Sequence, residues 1–163
     1  AASDVYKRQH HGDGTEEILA DRPGVRFLSL FQWPLFPHRR MEPTPSNAVL
    51  SPLPAGAGGE EIRNVVENVW LPEIDKFQPD LMILSAGFDA HCEERIAQLK
   101  AGEMDYACVT RLLVEASFAY CEGRLVSVLE GGYELRSLAR SVFTHLQGLI
   151  RNPLPAETCK DPN

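Results

Sequence analysis

The segment Asp80–Gly87, Asp-Leu-Met-Ile-Leu-Ser-Ala-Gly, constrains the fold more than any other part of the chain. It is apolar without alternation, the pattern of a strand covered on both faces in a parallel sheet. Segments of helical period flank it. Ile62, Val65, Val66, Val69, Ile74 and Phe77 recur at three- and four-residue spacing before it. Tyr106, Val109, Leu113, Ala116 and Tyr120 do so after it. Buried strands are predicted at Val25–Leu30 and Arg124–Glu130, and a last helix is marked by Leu135, Leu138, Val142 and Leu149 and ended by Pro153. Thr15, followed by Glu16 and Glu17, reads as the N-cap of a short helix that stops before Pro23. Pro72 is expected to kink or split the helix that contains it. Residues 31–59 hold six prolines and read as a long loop, with a short strand at Ala48–Leu53. Strands alternating with helices imply an α/β class, a parallel sheet joined by right-handed crossovers.

The chain has 163 residues, 44% of them hydrophobic, enough for one domain with a core. Asp plus Glu is 23 against 16 for Lys plus Arg, a net charge of −7. An acidic chain with no basic run is a poor candidate for nucleic acid or an anionic membrane. No apolar stretch spans a bilayer and no apolar leader is seen, so a cytoplasmic protein is expected. Cys92, Cys108, Cys121 and Cys159 form no Cys-x-x-Cys pair and are expected to be reduced thiols. Residues 1–9 lack periodicity of either kind. They look like a translated sequencing adapter or cloning scar, outside the domain at 10–152, and 153–163 reads as a loose polar tail.

In parallel sheets, ligands bind beyond the carboxyl ends of the strands. Gly87-Phe88-Asp89-Ala90-His91 and Glu130-Gly131-Gly132-Tyr133 both follow strands, and His10-His11-Gly12-Asp13-Gly14 forms a third cluster. A carboxylate leaving a strand can point into a site, and paired glycines let backbone approach a ligand. A tyrosine hydroxyl beside them can donate to developing negative charge. These residue types suit a metal held by oxygen and imidazole. They equally suit Asp89 as a turn cap and Tyr133 as an amphipathic residue at the core's edge. His38 and His145 read as surface and helix residues, and Cys92 as a bystander.

His-His-Gly-Asp-Gly-Thr-Glu-Glu-Ile at 10–18, Ser-Ala-Gly-Phe-Asp-Ala-His at 85–91 and Leu-Glu-Gly-Gly-Tyr-Glu-Leu at 129–135 resemble the zinc-dependent histone deacetylases in order and spacing. They look most like the bacterial branch, which includes acetylpolyamine amidohydrolases and acetoin-utilisation proteins. Residues 27–37 and 52–61 share the likeness. The resemblance implies the C-terminal half of an arginase-like fold, with a parallel sheet between helices and the N-terminal half missing. It implies His10 and Asp89 as zinc ligands, Tyr133 as the group that polarises the substrate carbonyl, and Phe36, Gly131 and Gly132 along the substrate channel. Ser29, Leu30 and the His10 carbonyl match part of a monovalent-cation site, for potassium. His11 is expected either behind the ligands or simply packed, and His91 to be structural. The family's first zinc Asp would fall on Arg8 and the Asp before it on Tyr6, and no upstream histidine pair is present. Phe31 stands in place of a common His, His38-Arg39-Arg40 in place of a Gly-Thr-Gly turn, and Glu94-Arg95 in place of Asp-Pro.

The implied activity of the full-length parent is hydrolysis of the acetamide of acetyl-lysine or an acetylated polyamine, this fragment being inactive. Two rivals stand beside it. One is a non-catalytic α/β binding module. The other is an arginase-type dimanganese ureohydrolase, which would want further Asp-x-Asp pairs at strand ends. The sequence does not address oligomeric state.

Overall fold

The computed structural model describes residues 2–7, 10–36, 38, 43–96 and 98–150, with the backbone alone over 4–7. Arg8, Arg39, Arg40, Pro153, Cys159 and the tail named above lie outside the described residues. Five parallel strands form one sheet in the order β3-β2-β1-β4-β5. They are β1 (Ala2–Lys7), β2 (Val25–Gln32), β3 (Ala48–Leu53), β4 (Leu81–Gly87) and β5 (Leu125–Gly131). The helices are α1 (Asp13–Leu19), α2 (Gly59–Val65), α3 (Leu71–Phe77), α4 (Glu103–Cys121) and α5 (Leu135–Ile150). The expected α/β class and its parallel sheet are observed.

The segment expected to lie outside the domain is its central strand. Residues 2–7 pair on one side with β2 and on the other with β4, with Val5 opposite both Leu28 and Leu84. Ladder hydrogen bonds come from the backbone, so six residues without a hydrophobic rhythm can still fill a slot between two strands. The chain winds outward from β1 to β2 and β3, then returns to place β4 and β5 on the other side. The winding direction therefore reverses between β1 and β4, the place where a parallel sheet opens a crevice.

Strand register sorts the core. Leu28, Leu30, Met82 and Leu84 face one way and join Ile62, Val66, Trp70, Ile74, Tyr106, Val109 and Leu113 in one buried cluster. Pro72 splits its helix as expected, and a π-helical turn at Val66–Trp70 precedes it. Proline withholds an N–H and crowds the carbonyl four residues back, and the wider turn accommodates both. The N-terminal helix starts earlier than Thr15, with Gly12 as its N-cap. On the opposite sheet face, Phe27 and Phe31 pack against the His11 ring.

Two further expectations change. Arg124–Glu130 reads as a buried strand, yet β5 is an edge strand with Val126 51% and Val128 45% exposed. No described element lies beyond it to cover that face. Cys92 and Cys121 are free thiols, whereas Cys108 is disulfide-bonded. Spacing along the chain does not reveal which cysteines fold within bonding reach. Among the described residues, no helix is long and apolar enough to cross a membrane.

Candidate active site

β1 and β4 are neighbours and run parallel, so the residues that follow them emerge side by side at the crevice. His10 follows β1 and Asp89 follows β4. The His10 Nδ1 lies 3.0 Å from Asp89 Oδ2, and Asp89 is 1% exposed. A carboxylate this buried requires compensation by hydrogen bonds, a counter-charge or a metal. Zinc bonds to imidazole nitrogen and carboxylate oxygen are about 2.0–2.2 Å. Two donor atoms 3.0 Å apart can therefore share one ion with little movement. The Phe36 ring stands edge-on to His10 at 6.4 Å between centroids and is itself 65% exposed.

The carboxyl end of β5 closes over the carboxylate. A Cβ on Gly131 would come within 3.2 Å of the Asp89 Cγ and Oδ2, so glycine lets this backbone lie against the ligand residue. The Phe88 amide donates to the Gly131 carbonyl at 2.8 Å. Gly132 has a φ of +127°, and a Cβ there would sit 2.7 Å from Leu138 Cδ1 and 3.1 Å from Phe88 Cβ. Conformation and space thus both select glycine. Tyr133 follows, with its side chain 58% exposed and no hydrogen bond to its hydroxyl among the described residues. It borders a shallow cavity of about 200 Å³ together with Glu94, Arg95, Ile96 and Glu134.

His11 points to the other face and is 3% exposed. Its Nε2 meets the Glu16 carboxylate, and its Nδ1 lies 3.0 Å from the Ser29 hydroxyl. The carboxylate draws the imidazole proton to Nε2, so Nδ1 accepts and Ser29 donates. Glu16 reads in the sequence as a carboxylate favouring a helix N-terminus. It turns inward instead and is 6% exposed. Ser29 and Leu30 are both buried in β2. His145, read as a helix residue, lies in α5 and is buried, with Thr110 Oγ1 at 2.7 Å and Ser127 Oγ at 2.9 Å.

Residues 9–149 match the histone deacetylase domain. The chain belongs to the histone deacetylase family. It is 33% identical over 150 residues to histone deacetylase 14, chloroplastic, of Arabidopsis thaliana, covering 86% of this chain and 35% of that protein. It is 32% identical over 164 residues to a polyamine deacetylase of Mus musculus, covering 90% of this chain and 23% of that one. The crystal structure of the HDA15 HD domain superposes with a TM-score of 0.84 at 28% identity, over 97% of this chain and 48% of that chain. The chain thus spans about a third of the plant relative, about a quarter of the mouse one and about half of the HDA15 domain.

Within this deacetylase-family chain, a second cluster carries metal-ligating residue types: His91, Glu93 and Glu103. Its hydrogen bonding argues against a metal there. The Glu93 amide donates to His91 Nδ1 at 3.1 Å, which puts the imidazole proton on Nε2, 3.4 Å from Glu103 Oε1. That tautomer has no free nitrogen lone pair. Arg140 also bridges the two carboxylates, at 2.5 Å to each. Arg140 and, secondarily, His91 hold the Glu103 carboxyl below its usual range. Tyr106 stacks on the His91 ring, and burial, with the Asp89 and Glu94 charges beside it, pushes its phenol well up. It stays protonated and cannot serve as a base. Sequence reasoning assigned Glu94 no role in the site, yet its carboxylate accepts from two amides of the tyrosine loop. The only signal was an acid retained where the family has Asp.

Proposed function

We propose that this chain is the C-terminal half of a zinc-dependent deacetylase that hydrolyses the acetamide of acetyl-lysine or of an acetylated polyamine. The observation that carries the reading is the 3.0 Å approach of His10 Nδ1 to a buried Asp89 carboxylate at the switch point of the sheet. His10 and Asp89 would hold the ion. Zinc, when bound, supplies Lewis acidity toward the amide carbonyl and a more acidic water. The remaining work falls to this chain's own groups. Phe36 walls the approach for the acyl chain. Gly131 and Gly132 keep backbone, and no side chain, beside the reacting carbonyl. Tyr133 donates its hydroxyl proton in a hydrogen bond to the carbonyl oxygen as negative charge gathers there. On the other sheet face, Ser29 commits its proton to His11, which leaves oxygen lone pairs toward a monovalent cation, with the Leu30 and His10 carbonyls. A cytoplasmic location belongs to the same proposal, and cell fractionation checks it.

By the resemblance, Arg8 falls in sequence where the family has its first zinc Asp. A catalytic zinc site needs about three protein ligands. The chain of 163 residues is therefore expected to lose zinc on dialysis, as read by elemental analysis. Stoichiometric retention would contradict the two-ligand reading. An extended protein with an upstream half and Arg8→Asp should keep zinc and release acetate from an acetyl-lysine peptide or acetylspermidine. Asp89→Asn in that protein should lose both. Zinc-independent turnover would sink the proposal, and no turnover with zinc bound would sink it and favour a binding module.

A further inference from the structure

We propose that Glu94 is a positioning residue for Tyr133, acting as one jaw of a two-point clamp on the tyrosine loop. The inference rests on the deacetylase reading for the role of Tyr133 but not for the clamp itself. The segment 88–94 grips the loop 131–134 at both ends. At one end, the Phe88 amide donates to the Gly131 carbonyl at 2.8 Å. At the other, a single oxygen of Glu94, Oε1, accepts from the Tyr133 amide at 2.6 Å and the Glu134 amide at 2.9 Å. Glu94 is 8% exposed, so these charge-assisted bonds are shielded from water.

The loop needs such a hold. Between the jaws, Gly132 adopts a conformation closed to other residues, and Tyr133 and Glu134 precede the first hydrogen bond of α5, from the Leu138 amide to the Glu134 carbonyl. Their amides therefore have no partner within the helix and would otherwise turn to water. The tyrosine side chain itself is mostly exposed and supplies little packing to fix its own place. Asp89 lies in the same short segment as both jaws. The clamp thus sets the distance between a ligand carboxylate and the tyrosine backbone through seven residues, independently of the open edge of β5.

The test uses the 163-residue chain and does not depend on turnover. Amide hydrogen exchange is followed in Glu94→Ala and Glu94→Gln, alongside the ¹⁹F spectrum of fluorotyrosine-labelled protein. In Glu94→Ala, exchange at Tyr133 and Glu134 should quicken by about tenfold or more, the loss of a charge-assisted bond, and the Tyr133 resonance should shift or broaden. Amides of α4 should not change. Glu94→Gln keeps an acceptor oxygen at the same reach. It should restore protection to within about threefold of the parent and return the Tyr133 line. Unchanged exchange at both amides in Glu94→Ala would overturn the clamp. So would equal acceleration in α4 in either variant, which would make Glu94 a general stabiliser. A Gln variant no better than Ala at the loop would overturn it too. Absence of deacetylase activity in an extended protein would refute the functional reading and leave these outcomes untouched.

Discussion

β2 and β5 have similar sequences and opposite surroundings. Val25–Gln32 and Leu125–Gly131 are both short, apolar and β-branched or leucine-rich. β2 buries six consecutive residues from Phe27 to Gln32, whereas β5 leaves Val126, Val128 and Leu129 about half exposed. Position accounts for the difference. β2 has β1 on one side, β3 on the other and packing on both faces. β5 has β4 on one side and helices over one face. α5 also carries exposed apolar residues, at Leu135, Phe143, Leu146 and Ile150. The lesson is that a strand's composition reports the cover it is suited to, and the surrounding elements decide whether it receives it. The site straddles this boundary: His10 and Asp89 belong to the sealed centre, and Tyr133 hangs from the bare strand.

The sharpest way to break that comparison is to truncate one residue on each side. Leu84 is 1% exposed at the centre of β4. Leu84→Ala should cost about 2–5 kcal/mol of stability. Val128→Ala should cost under about 1 kcal/mol, and Val128→Lys should be tolerated in this chain, because surface changes are usually within about 0.5 kcal/mol. Urea unfolding reads all three. If Val128→Ala proved as costly as Leu84→Ala, the face of β5 would be buried in solution, by a second copy or otherwise.

The second prediction sharpens the same boundary in chemical terms. In an extended, zinc-loaded protein, Tyr133→Phe keeps the ring and removes only the hydroxyl. Turnover of an acetyl-lysine peptide should fall by about 10²-fold or more, with zinc content and unfolding midpoint unchanged. A side chain that is 58% exposed has no packing role large enough to mimic that loss. Unaltered kcat would show that Tyr133 does not touch the carbonyl.

What the sequence made legible follows the same division. The strand at Asp80–Gly87 was readable because cover on both faces leaves an unbroken apolar run, and the helix marked from Tyr106 to Tyr120 because burial on one face leaves a period. The meeting of His10 and Asp89 was readable because both follow strands that end at one sheet edge, and because their motifs resemble a known family. β1 was not readable. Its place depends on backbone pairing with two neighbours, which leaves no mark on side-chain pattern. The exposure of β5 was not readable either, since it depends on which elements are present beyond the strand. Glu16 and Glu94 escaped because an acid at a helix start and an acid in a loop look solvated in sequence. Only folding brings His11 to the first and two loop amides to the second.

The smallest expected effect lies at the rim, where the ion-pair network of Arg140 with Glu93 and Glu103 ties α5 to the start of α4 and the segment before it. Arg140 is the main cause of the lowered Glu103 pKa, with a smaller contribution from His91. A carboxyl whose folded pKa is depressed stabilises the fold fully above its ordinary value of 4.5, and that contribution is lost as pH falls through the lower folded value. Arg140→Gln should therefore lower the urea midpoint at about pH 7, and the gap from the parent should close on acidification to about pH 3. The shift should be slight, because the Arg140 side chain is 46% exposed and Glu103 32%, so water screens the pair. A gap that stayed constant across that range would mean that Arg140 acts through its aliphatic stem on α5 and not through its charge. A gap that widened at low pH would reverse the sign required by a depressed carboxyl and would remove Glu103 from the account.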